Sequence, residues 1–241
     1  MRGNETTRIL GIVGGTGPES TVDYYRSVIA AWRQHRSDGT FPRVMINSIE
    51  GGGLWLRLEA NDHEAVTAEI GDAVDRLSAA GAGLVILASN TLHSVFDEVA
   101  RRASVPMLSI ITETVGAVIR LRLSQPAVLG TRFVMESDLY LEPLRRAGIS
   151  AVVPNQKERS FLHDRYGEEL IVGKFSRATR TEVIAIIGAM KQRTGIDGVI
   201  LAGTELGLLL PGSSYHGVPV VDSAKAHVDG AVRWLLDDTS P

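Results

Sequence analysis

Short, wholly apolar runs alternate along this chain with longer stretches in which apolar residues return every three or four positions. Arg8–Val13 reads as a buried strand that runs out in Gly14-Gly15-Thr16-Gly17-Pro18-Glu19, and Ser20 or Thr21 can cap a helix through about Arg33. Val44–Ile49 predicts a second strand leading into Glu50-Gly51-Gly52-Gly53. Residues 63–80 then place Ile70, Val74 and Leu77 on one helical face. Leu84–Ala88 predicts a strand with a helix from about Thr91 to Arg102, and Val105–Ile110 a strand with a helix over 112–122. Beyond these, strands are expected at Ala127–Leu129, Ala151–Val153, Gly198–Ala202 and Val218–Val221, and helices near 136–146, over Thr179–Thr194 and over 222–236. Residues 155–176 are polar and without clear period. Such alternation predicts parallel sheets flanked by helices.

Two pairs of segments nearly repeat. Val85-Ile86-Leu87-Ala88 returns as Val199-Ile200-Leu201-Ala202. Val13-Gly14-Gly15-Thr16 is matched, at almost the same offset, by Val128-Leu129-Gly130-Thr131. The expectation is an α/β protein of two pseudo-symmetric subdomains whose strand ends face each other across a cleft. The first subdomain would take residues 1–118 and 208–241 and the second 119–207, with the seam near 115–125.

Composition narrows the function more by exclusion than by indication. Apolar residues make up 44% and charged residues 22%, enough for an ordinary core. The net charge of −3 and pI near 6.1 argue against a nucleic-acid partner. No apolar run approaches membrane-spanning length, and the opening MRGNETTRIL lacks the apolar stretch of a secretion signal, so a soluble cytoplasmic protein is expected. The chain has no cysteine, which excludes disulfides, thiolate metal sites and thiol catalysis together. The histidines show no metal-ligand spacing, so no metal is expected.

The polar residues at the strand ends are the candidate chemistry. Gly14–Pro18 is either a tight strand-to-helix turn or a cradle for a small carboxylate at a helix start. It is not G-x-G-x-x-G, and the next strand carries Asn47 and Ser48 in place of an acidic residue, so a dinucleotide site is rejected. No Gly-Lys-Ser/Thr follows, so a Walker loop is rejected too. Ser89-Asn90-Thr91-Leu92-His93 offers hydroxyls and an amide at a helix start, for anion binding or for ordinary capping. Gly203-Thr204-Glu205 is its mirror, with Gly203 leaving room in the cleft. Thr131 is a further strand-end hydroxyl, and Asp222 reads first as an N-cap.

Together, Gly11–Tyr25, Ser89–His93, Leu201–Leu206 and Pro219–Ser223 with His227 resemble the aspartate/glutamate racemase superfamily over nearly the whole chain. The resemblance implies catalysis without pyridoxal phosphate, metal or nucleotide, a homodimer, and two thiols flanking the α-carbon of a small amino acid or dicarboxylate. It implies a carboxylate held by Gly15, Thr16, Asn47, Ser48, Asn90, Thr91, Thr131 and Thr204. By position, the thiols fall on Ser89 and Gly203. A serine hydroxyl needs an adjacent base, and glycine has no side chain to offer, so the two-thiol mechanism cannot operate. His93 and Glu205 are the candidates for a rebuilt acid/base pair. Three outcomes follow: a racemase-type enzyme with non-thiol groups, a lyase or decarboxylase working from one face, or a small-carboxylate binder without catalysis.

Overall fold

The computed structural model describes residues 8–237; the first seven residues, part of the opening weighed above as a possible leader, lie outside them. The chain runs β1 (Ile9–Gly14), α1 (Pro18–His35), β2 (Arg43–Ser48), α2 (Gly51–Glu59), α3 (His63–Ala79), β3 (Leu84–Leu87), a 3₁₀ turn (Thr91–Ser94), α4 (Phe96–Arg102), β4 (Met107–Leu108) and α5 (Ile110–Arg120). It continues with β5 (Pro126–Gly130), α6 (Arg132–Glu136), α7 (Asp138–Arg146), α8 (Gln156–Arg165), a π-helical turn (Tyr166–Leu170), α9 (Arg177–Thr194), β6 (Gly198–Ala202), α10 (Thr204–Leu209), β7 (Ser214–Tyr215), β8 (Val218–Asp222) and α11 (Ser223–Leu236).

Two four-stranded sheets result, β2-β1-β3-β4 and β5-β6-β8-β7, parallel throughout except for β7 at one edge. β1, β3, β5 and β6 are buried along nearly their whole length, as strands covered by helices on both faces must be. The repeated segments occupy matching places. Val13 pairs with Leu87 in the first sheet and Leu129 with Leu201 in the second. The ends of β1 and β3 therefore face those of β5 and β6.

The cores show where the chain changes sides. Ile110, Ile111 and Val118 of α5 pack against Val128, Ile200 and Val221 of the second sheet. Ala224, Val228, Ala231 and Leu235 of α11 pack against Leu10, Ile12 and Ile86 of the first. Each sheet is thus completed by the helix that follows the other, and α5 and α11 pack on one another. The chain passes from the first sheet to the second near 109 and returns near 223, since β8 pairs with β6 before α11 packs back on the first sheet.

Several elements depart from the pattern read in sequence, each for a local reason. α1 begins at Pro18, before Ser20 and Thr21, since Gly17 takes the cap position and proline's fixed φ suits the first turn. Thr21 instead closes the preceding turn, accepting from the Gly15 amide at 2.8 Å and donating to the Gly17 carbonyl. The three glycines at 51–53 open a helix: the Glu50 carboxylate caps the Gly52 and Gly53 amides at 2.8 and 2.7 Å. Gly51 allows that helix to sit against the Gly15–Thr16 backbone, where a Cβ would stand 2.5 Å from the Gly15 carbonyl oxygen. Ala151–Val153 contributes only a single bridge, between Val152 and Ala127. The polar stretch after 155 folds as α8, held by a reciprocal capping box between Asn155 and Glu158, and as the π turn. Asp222 caps α11 through the Lys225 amide at 3.1 Å.

Candidate active site in the interdomain cleft

The converging strand ends meet around a cleft walled by Thr16, Gly17, Trp55, Ala88, Ser89, Asn90, Thr91, Thr131, Tyr166, Ile171, Gly203, Thr204 and Glu205. Hydrogen bonds stitch the two subdomains across it with the expected pseudo-symmetry. Thr91, after β3, lies 3.3 Å from Thr131, after β5, hydroxyl to hydroxyl. Ser20, in the first turn of α1, donates to Glu205 and lies 2.8 Å, hydroxyl to hydroxyl, from Thr204, both after β6. No Lys, Arg or His side chain is among its walls within the described residues.

The first flank carries Ser89, 7% exposed, whose Oγ accepts from the Leu92 amide at 3.4 Å. No carboxylate or imidazole bonds to that hydroxyl among the described residues. His93 turns away from it. Its Nδ1–H donates to the Ser89 carbonyl at 2.8 Å and its Nε2 accepts the Ile110 amide at 3.0 Å, so both ring nitrogens are committed to backbone. Burial, with the nearby His227 ring, drives its pKa down to about 3. The ring stacks on Phe96 and walls a different cavity, so it leaves the list of candidate bases. Its work is to tie the segment after β3 to the start of α5.

Asn90 lines the cleft, yet both ends of its amide are engaged: Nδ2 donates to Ser223 Oγ at 3.1 Å and Oδ1 accepts the Tyr140 hydroxyl. It positions the segment more than it offers a ligand contact. Asn47 and Ser48 lie away from the walls. They sit on the edge strand β2, where the Asn47 amide donates to the Ala73 carbonyl at 3.3 Å and Ser48 is exposed. Gly15 also falls outside the walls and makes the turn that presents Thr16 and Gly17. In α1, Pro18 has no N–H, leaving the Glu19 and Ser20 amides as first-turn donors beside the cleft.

The second flank is the larger surprise. Gly203 does not open space there, because Tyr166 fills it: a Cβ on Gly203 would stand 2.6 Å from the phenol oxygen and 2.9 Å from Cε2. That phenol donates to Glu205 Oε2 and accepts the Glu205 amide at 3.4 Å. Glu205, 3% exposed, also accepts from Ser20 and, at 3.0 Å, from Thr204. Three hydroxyls thus surround a buried carboxylate, which satisfies it without a cation. Burial and the Glu205 charge raise the Tyr166 pKa well above the usual phenol value.

A family model described as Asp/Glu/hydantoin racemase matches residues 13–231. The broad-specificity amino-acid racemase RacX of Bacillus subtilis is 29% identical over 147 residues, a match covering 58% of this chain and 62% of that protein. An aspartate racemase homologue from Pyrococcus horikoshii superposes with a TM-score of 0.82 at 33% identity, covering 95% of this chain and 99% of that one. Aspartate racemase from Picrophilus torridus shares the fold, with a TM-score of 0.81 at 21% identity over 95% of this chain and 94% of its own.

Proposed function

The chain belongs to the Asp/Glu/hydantoin racemase family, and on that premise we propose that it is an enzyme acting at the α-carbon of a small amino acid through non-thiol groups and without a cofactor. The cleft itself carries the reading: two pseudo-equivalent strand ends meet there with hydroxyls and helix-start amides suited to one carboxylate. The walls supply no cation for a second carboxylate, and Glu205 would repel one; Trp55 and Ile171 add apolar surface. A neutral side chain therefore suits the site better than a dicarboxylate, in keeping with the broad specificity in the name of the B. subtilis relative.

Proton NMR in D₂O tests this with both enantiomers of alanine, serine, leucine, phenylalanine, aspartate and glutamate. Loss of the α-proton signal is expected, faster for the neutral amino acids than for aspartate or glutamate. Growth of the opposite enantiomer would identify a racemase. Binding by saturation transfer with no exchange and no new product would instead mark a carboxylate-binding protein and end the catalytic reading.

A lyase or decarboxylase is the second reading, favoured by the chemical inequality of the flanks: among the described residues Ser89 has no base bonded to it, whereas the opposite side has a phenol paired with a carboxylate. A new product in the same spectra, with no growth of the opposite enantiomer, is its signature.

The homodimer belongs to the same proposal. Val22 and Tyr25 on α1, Ile46 on β2 and Phe41 just before it are exposed on adjoining elements, an apolar surface of the kind that protein partners cover. Light scattering is expected to give twice the chain mass, and Ile46→Lys to halve it; a monomeric parent would refute the dimer. No helix of the described residues is long and apolar enough to cross a membrane, and the cytoplasmic location remains part of this proposal.

A further inference from the structure

We infer that Tyr166 replaces the missing second thiol: its phenol oxygen is the proton-transferring group on the Gly203 flank, and Glu205 is the group with which it exchanges that proton. The inference rests on the proposed reaction at the α-carbon.

Position is the first argument. The phenol oxygen lies 2.6 Å from where a side chain on residue 203 would begin, so it occupies the volume that any reactive group borne by that residue would need. It does so from a distant part of the chain, on the wall of the same cleft. The second argument is the way it is held. One hydrogen bond leaves the phenol for Glu205 Oε2 and one arrives from the Glu205 amide, which leaves the oxygen a further lone pair. Glu205 is fixed in turn by Ser20 and Thr204, hydroxyls from opposite subdomains. A tyrosine serving only to fill space would not require a buried carboxylate beside it, and such a carboxylate is costly to bury. The third argument is the backbone. Tyr166 opens a π-helical turn at the end of α8, a local widening of the helix that re-aims a side chain and is common at functional sites.

The step balances within the pair. The α-carbon–hydrogen bond breaks and its proton passes to the Tyr166 oxygen as the phenol's own proton moves to Glu205 Oε2. The electron pair left on carbon spreads into the substrate carboxyl as an enediolate, held by the cleft hydroxyls. Reversal returns a proton to the same face. In D₂O, exchange of the proton on the phenol oxygen with solvent, directly or by way of Glu205, before that reversal makes the returning one a deuteron. Among the described residues no base is bonded to Ser89 across the cleft, so exchange with retention is the expected outcome.

Tyr166→Phe keeps the ring and removes the hydroxyl; Glu205→Gln keeps hydrogen bonds and cannot take the proton in the same way. With the amino-acid panel above in D₂O, each variant is expected to lose about 100-fold or more in the exchange rate, with saturation-transfer binding retained. Exchange by Tyr166→Phe within about threefold of the parent would overturn the role of Tyr166 and leave the proposed function standing. If Tyr166→Phe loses binding, Glu205→Gln decides: parental exchange there overturns the pair. No exchange and no product from the parent would overturn both readings together.

Discussion

Lowering the pH from 7 to 5 is expected to cost the fold about 4 kcal/mol, through two histidines that it keeps neutral. His93 donates from Nδ1 and accepts at Nε2. His227 donates from Nε2 to the Leu108 carbonyl at 2.9 Å and accepts the Tyr24 hydroxyl at Nδ1, 3.1 Å away. A second proton on His93 would meet the Ile110 amide donor to donor. The two rings lie 6.0 Å apart, so charging one penalises charging the other. Burial is the leading cause of both shifts, to about 3 for His93 and about 4 for His227. Unfolded, each titrates near the ordinary imidazole value of 6.5. The unfolded chain therefore binds more protons below that value, and stability falls as pH falls through 6.5 towards 4. Each ring contributes about 1.4 kcal/mol per pH unit in that window. Urea unfolding midpoints at several pH values between 5 and 7.5 measure the slope. His93→Gln should halve it while lowering stability at every pH. An unchanged slope in that variant would show that the acid sensitivity lies elsewhere.

What the sequence disclosed about these histidines illustrates a wider limit. Strands such as Leu84–Leu87 and Gly198–Ala202 are legible because burial on both faces demands an unbroken apolar run, and the duplication marked which strand ends converge. The strand-end hydroxyls Thr91, Thr131 and Thr204 are legible for the same reason: they follow directly from where the strands stop. His93 is different. Its place in the motif suggested a base, but its state depends on the Ile110 amide, seventeen positions on and supplied by another element. Tyr166 was out of reach altogether. It follows α8, a helix with a single fully buried residue, Leu162, so its segment shows no apolar stripe. The π turn that aims the phenol has no sequence period of its own. Gly203 was misjudged as an opening because a missing side chain says nothing about which distant side chain enters the gap.

Gly15→Ala is expected to destabilise the protein by about 3 kcal/mol or more and to disorganise one wall of the cleft. Two costs combine. The residue has φ +97°, a conformation L side chains rarely adopt. The added Cβ would also stand 2.1 Å from the Ile49 carbonyl oxygen and 2.7 Å from its nitrogen. Backbone cannot rotate aside as a side chain can, and the Ile49 amide is anchored to the Gly14 carbonyl at 2.9 Å. Gly81 separates the two costs: its φ is +99° and a Cβ there would meet nothing within 4 Å. Gly81→Ala should therefore lose only about 1 kcal/mol, and the difference measures the close approach alone. Urea unfolding of the two variants side by side gives that difference, and equal losses would refute the close-contact argument. Relief of the clash must shift the turn between β1 and α1, which carries Thr16 and Gly17 and leads directly into the first helical turn with Ser20. Ser20 is one of the hydroxyls that hold Glu205, so folded Gly15→Ala protein should also exchange α-protons more slowly than Gly81→Ala, because the carboxylate beside Tyr166 has lost one of its supports.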